Sequence, residues 1–176
     1  KGNTFYALAY YIAGSVTQAH LYYTHDAFNT STLITSVFPP TNSSDDDVNG
    51  GRMELWVNPL NQYKLYFGSI YVWEITFNSA YSILNYDRMN RNHYHFSIPL
   101  GEVIHADIRA GVIFQKPING SYVPFLYVAN DGGIERINLS NTTIDWIDLS
   151  GQGLNGVEGF GIGGSETNPD LFFCGQ

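Results

Sequence analysis

Short runs of β-branched and aromatic residues recur in one fixed order, and that repeat limits the possible folds more than any other feature. One unit begins with Met53-Glu54-Leu55-Trp56-Val57, turns at Asn58-Pro59 and continues with Lys64-Leu65-Tyr66-Phe67-Gly68. Tyr71-Val72-Trp73-Glu74-Ile75 follows, and Tyr81-Ser82-Ile83-Leu84 closes it. The next unit keeps the order: Ile108 to Phe114 with a turn near Lys116-Pro117, then Phe125 to Ala129, Gly133 to Ile137 and Ile144 to Leu149. A further unit starts at Val157 to Ile162, turns at Asn168-Pro169 and reaches Leu171-Phe172-Phe173-Cys174-Gly175. Ahead of these, Thr4 to Ala9, His20 to Thr24 and Leu33 to Val37 match the second, third and fourth runs. Nowhere does a long stretch show the apolar spacing of three and four that an amphipathic helix needs. Runs separated by Gly, Pro and Asn are the pattern of an all-β chain.

Four short strands per unit, at a period of about 40 to 60 residues, is the sequence signature of a β-propeller. Each blade is a four-stranded antiparallel sheet that buries its faces only by stacking on its neighbours. The expected layout is a partial blade over 1–38 (strands two to four), an inter-blade loop over 39–52 and a complete blade over 53–86. An inter-blade insertion over 87–104, a complete blade over 105–150 and a partial blade over 151–176 follow. The chain is thus expected to be a partial ring of about three blades' worth, with the remaining blades elsewhere in a larger protein. Val112, Phe114, Leu126, Tyr127 and Val128 are expected to be buried, as parts of the first two strands of a complete blade. The competing arrangement is a free-standing β-sandwich of similar strand count.

Composition narrows the function. Charged residues make up 14% and aromatics 15%, with 13 Tyr, 11 Phe and 3 Trp, so disorder is excluded. The balance of 8 basic to 16 acidic residues, net −8, argues against nucleic acid or an anionic membrane as partner. A single cysteine, Cys174, excludes an intrachain disulfide and a multi-thiolate zinc site; its setting reads as a buried strand. Residues 2–25 carry no Lys, Arg, Asp or Glu, but their apolar centre is too short to span a bilayer, so no membrane span is expected. Any signal peptide would lie upstream. Asn-x-Ser/Thr sequons occur at Asn29, Asn42, Asn119, Asn138 and Asn141, as chance alone would produce in so Asn- and Ser-rich a chain.

Several motifs together resemble the repeat of sortilin-type and BNR (Asp-box) propellers. They are His105-Ala106-Asp107-Ile108, the run Leu126-Tyr127-Val128-Ala129-Asn130-Asp131-Gly132-Gly133-Ile134, and the Asn-Pro turns before strands ending in Gly68 and Gly175. That family includes secreted xyloglucan-specific hydrolases, sialidases, receptor ectodomains and large bacterial surface proteins, often exported by the type IX route. The resemblance implies a secreted or cell-surface location. No full Asp-box, Ser-x-Asp-x-Gly-x-Thr-Trp/Phe, occurs; Thr24-His25-Asp26-Ala27-Phe28 keeps its Thr and Asp. Where family members often carry a second His, this chain has Arg109.

The candidate ligand-binding residues are His105, Asp107, Arg109 and Asp131. On a strand, His105, Asp107 and Arg109 would share one face, and on an innermost strand that row would look into the channel. Asp131-Gly132-Gly133 reads first as a hairpin turn, and Asp26 as a turn residue. Asp45-Asp46-Asp47 lacks the alternating spacing of a calcium loop, and no metal or cofactor is expected. The cluster Arg88 to His95 reads as a loop insertion.

Three functions compete: a glycoside hydrolase, a binding module and a structural spacer. Hydrolysis needs two carboxylates about 5 to 9.5 Å apart, and Asp26, Asp107 and Asp131 are the candidates. None stands apart from turn positions, and Arg109 beside Asp107 would keep that carboxylate ionised. The expectation is an extracellular propeller module that binds a polysaccharide or protein ligand at a cell surface, with a xyloglucanase- or sialidase-like glycosidase as the alternative.

Overall fold

The computed structural model describes residues 4–13, 16–38, 53–90, 104–105, 107–149, 161–165 and 172–175. Within them the chain is all-β, with no helix. Three strands, β1 (Phe5–Ala13), β2 (Val16–Thr24) and β3 (Thr32–Phe38), form a sheet in sequence order. A second sheet holds β4 (Glu54–Val57), β5 (Lys64–Gly68), β6 (Val72–Phe77) and β7 (Ile83–Arg88). A third holds β8 (Ala110–Ile118), β9 (Ser121–Asn130), β10 (Gly133–Asn138) and β11 (Trp146–Asp148). β12 (Gly161–Gly164) pairs with β13 (Phe172–Gly175). Every pairing is antiparallel and joins consecutive strands. Each apolar run of the sequence repeat overlaps one of these strands where it lies within the described residues; 157–160 lie outside them.

Alternation along β5 assigns its two faces to two different cores. Leu65 and Phe67 pack with Leu21, Trp73, Ile75 and Phe77, joined by Tyr6, Leu8 and Ile34 of the first sheet. Tyr66, between them, packs with Trp56, Val72, Ile108, Leu126, Val128, Ile137 and Trp146, which brings in the third sheet. The far face of the third sheet, through Ala110, Ala129 and Ile134, meets Ile162 of β12. Successive sheets therefore stack face to face in sequence order, with β4 against β8 and β8 against β12.

The seam between the second and third sheets is close. Trp56 donates its indole N–H to the Gly111 carbonyl at 2.9 Å, and Glu54 Oε2 accepts the Gly111 N–H at 2.9 Å. Burial pushes the Glu54 carboxyl up despite that bond. A Cβ at Gly111 would come within 2.7 Å of the indole Cε2, so only glycine admits Trp56 there.

Two expectations need correction. The β8–β9 turn is not at Lys116-Pro117 but at Asn119-Gly120, with φ of 50° and 81°, between the paired residues Ile118 and Ser121. This is the two-residue hairpin that Asn-Gly favours, because both positions need positive φ. Pro117 is accommodated because Gly111, three alternations earlier, turns its N–H and carbonyl away from β9 toward β4. Residues of that parity need no ladder donor on this side. Leu126, Tyr127 and Val128 are buried, whereas Val112 and Phe114 on the edge strand β8 are half-buried. The inter-blade loop at 39–52, with Asn42 and Asp45-Asp46-Asp47, lies outside the described residues, as do 91–103 of the expected insertion and the Cys174 side chain.

Candidate functional site

The segment leading into β8 meets two hairpin turns. The Asp107 N–H bonds the Ile70 carbonyl at 3.1 Å and the Ile108 N–H bonds the Ser69 carbonyl at 2.7 Å, so this segment is clipped to the β5–β6 turn of the preceding sheet. The Arg109 N–H instead reaches the Ala129 carbonyl of its own sheet, at 2.8 Å. This division of bonds overturns the expected row of same-facing residues. His105, Asp107 and Arg109 precede the strand, and Asp107 sits at φ 64°, so strand alternation does not apply.

The side chains converge differently from the sequence reading. The Arg109 guanidinium grips Asp131 with two bonds, Nε to Oδ1 at 2.8 Å and the terminal nitrogen to Oδ2 at 3.0 Å. Asp131 and Gly132 form the β9–β10 turn between the paired Asn130 and Gly133. Asn130 is fully buried and organises that turn. Its Oδ1 accepts the Gly132 N–H at 2.8 Å, while its Nδ2 donates to the His105 carbonyl at 3.1 Å and to Glu135 Oε2 at 2.7 Å. A Cβ at Gly132 would lie 2.8 Å from that of His105, so the turn and the incoming segment are in tight contact.

Glu135 is the residue that the sequence reading missed. It lies on β10 directly opposite Asp148 of β11 and is 5% exposed. Burial raises its carboxyl from 4.5 to about 8, the Asp148 charge adds to that, and the Asn130 and His105 backbone bonds oppose it. Its signal was parity: Gly133 and Ile137, the flanking residues on the same face, are both buried, so Glu135 had to be buried with them.

Asp26 has a turn role. Thr24 Oγ1 donates to its Oδ1 at 2.6 Å, and Thr30 donates its N–H (2.9 and 3.0 Å) and its hydroxyl (2.6 Å) to the carboxylate. These bonds hold the Asp26 carboxyl down at about 2. Among the described residues, no three His, Cys, Asp or Glu side chains are grouped to hold a metal. No helix there is long and apolar enough to cross a membrane.

The fold thus defines an all-β protein of consecutive, sequentially stacked antiparallel sheets with a polar cluster where turns from two sheets meet. Compared with protein-family models, curated proteins and solved structures, the chain matches none of them.

Proposed function

We propose that this chain is an extracellular binding or adhesion module, built as consecutive blades of a sortilin-type or BNR-like β-propeller within a larger secreted or cell-surface protein. Its ligand is a polysaccharide or a protein. Face-to-face stacking in sequence order supports the propeller reading, because a radial ring requires each sheet to bury both faces against its chain neighbours. One observation carries the binding reading: two of the three nominated carboxylates, Asp131 and Asp26, are already engaged. Asp131 is held by Arg109, and Asp26 by Thr24 and Thr30. Among the described residues, the arginines have separate partners, with Arg88 over Tyr71, Arg136 over Phe125 and Arg109 on Asp131.

The glycosidase alternative draws on Glu135. A carboxyl raised to about 8 is protonated at neutral pH, as a general acid must be. Asp148, directly opposite on β11, is the carboxylate that would partner it. The test incubates the protein with xyloglucan, other β-glucans and sialylated substrates, alongside Asp107→Asn, Asp131→Asn and Glu135→Gln. Retention of a ligand without turnover is the expected result. Turnover that disappears in a folded variant makes the protein a hydrolase with that carboxyl at its centre.

A further inference from the structure

Both backbone polar groups of His105 are held by one buried pair. The Asn130 amide donates to the His105 carbonyl at 3.1 Å and to Glu135 Oε2 at 2.7 Å, while the Glu135 carboxyl accepts the His105 N–H. Asn130 Oδ1 also takes the Gly132 N–H, so the same pair fixes the turn from which Asp131 grips Arg109. Downstream, the Asp107 and Ile108 N–H groups are tied to the Ile70 and Ser69 carbonyls. His105 is therefore seated between a fixed clip on one side and the Asn130–Glu135 pair on the other.

The surroundings of Glu135 favour its neutral form. Asp148 stands directly opposite on β11, and Val128, which faces it from β9, is apolar. Ile137 and Trp146, on the same face, are buried. The incoming segment adds Asp107, the His105 ring and Arg109, whose guanidinium is committed to Asp131. Arg136, next along β10, points to the opposite face, over Phe125. Burial, and then the Asp148 charge, thus hold the carboxyl protonated up to about pH 8 while His105 is seated. Once the His105 peptide lifts away, water reaches the carboxyl and the group regains its ordinary acidity.

We propose that Glu135 is a positioning residue of the ligand site, acting through the His105 backbone, and that seating His105 on the β9–β10 turn takes up one proton, so that the site is assembled most firmly in acid. This presupposes the binding reading above and adds its regulation. The sign follows from linkage. Below about pH 4.5 Glu135 is protonated whether His105 is seated or lifted, and lifting is rarest. Between there and about pH 8 the lifted form alone releases the proton, so lifting rises about tenfold per pH unit; above that it levels off.

Hydrogen exchange of the full chain from pH 4 to 9, read by NMR and corrected for the intrinsic rate at each pH, tests it. The amides of His105 and Gly132 report the seat, and that of Leu65, in the central strand β5, reports global unfolding. In the wild type, protection at His105 and Gly132 falls about tenfold per pH unit through the window. It stays well below that of Leu65 and is insensitive to low urea. Glu135→Gln keeps the acceptor without a titrating group, so its protection is high and flat with pH. Glu135→Leu removes the acceptor and leaves His105 poorly protected at every pH. A flat wild-type profile overturns the proposal. So does a slope that persists in Glu135→Gln, which would assign the proton to the His105 ring or Asp107. His105 exchanging only together with Leu65 also overturns it, since the seat would then open by global unfolding alone. None of these results requires a ligand, so each leaves the binding reading standing; a chain that retains no polysaccharide or protein removes that reading instead.

Discussion

Trp56 and Gly111 are 55 positions apart, yet the indole N–H of one meets the carbonyl of the other at 2.9 Å, over a glycine that has no Cβ to obstruct it. Glu54, two residues before Trp56 and so on the same face of β4, takes the N–H of the same glycine. A single residue of β8 is therefore held at both its backbone N–H and its carbonyl by side chains of the preceding sheet.

Gly111→Ala should lower stability by about 1–3 kcal/mol, the usual cost of overpacking a well-filled seam. Trp56→Leu in the same chain should recover part of that loss, because the clash and the indole are one interaction. Urea denaturation of the two single variants and the double variant measures it. Strictly additive losses would show that the seam tolerates a methyl group and that the close approach is unimportant.

Stability should depend on pH through Glu135. Its folded value, about 8, lies above the ordinary 4.5, so the native state holds a proton that the unfolded chain has released. The contribution is fully present below about pH 4.5 and is lost as pH rises to about 8. Glu135→Gln keeps an acceptor for Asn130 Nδ2 and should flatten the curve across that window, with a gain on the order of a few kcal/mol at pH 9. Asp148→Asn should narrow the window without abolishing it, since burial is the larger cause. Urea midpoints from pH 4 to 9 decide the matter, and a wild-type curve with no such fall removes Glu135 from its buried role.

The β8–β9 hairpin makes a local prediction. Gly120 at φ 81° cannot take a side chain without strain, so Gly120→Ala should cost about 1 kcal/mol. Asn119→Gly should change stability by only a few tenths, because glycine accepts the same positive φ. Thermal melts separate the two, and equal Tm values for both variants would contradict the turn type.

How much was legible in the sequence divides by range. Runs such as Lys64-Leu65-Tyr66-Phe67-Gly68 coincide with strands because β-branched and aromatic side chains suit a pleated, half-buried surface. The Asn119-Gly120 signal is equally local, but it sits two residues from Lys116-Pro117, a competing turn signal. The row His105, Asp107, Arg109 failed because one residue at φ 64° cancels strand alternation, and no spacing rule exposes that. Arg109 finds Asp131 only because Asn130 bonds the β9–β10 turn to the His105 carbonyl. Such partners are set by tertiary contact, which residue order alone does not reveal.

Leu65 and Tyr66 are chain neighbours that serve opposite cores. A one-residue insertion within β5 would exchange them, placing a phenol where a leucine fits and an aliphatic chain beneath Trp56, and would spoil both seams in one step. The same insertion in the turn at 25–31 alters only the local chain path. Lineages of this protein can therefore vary in length at their turns, whereas β5 has to keep its residue count even where its side chains change.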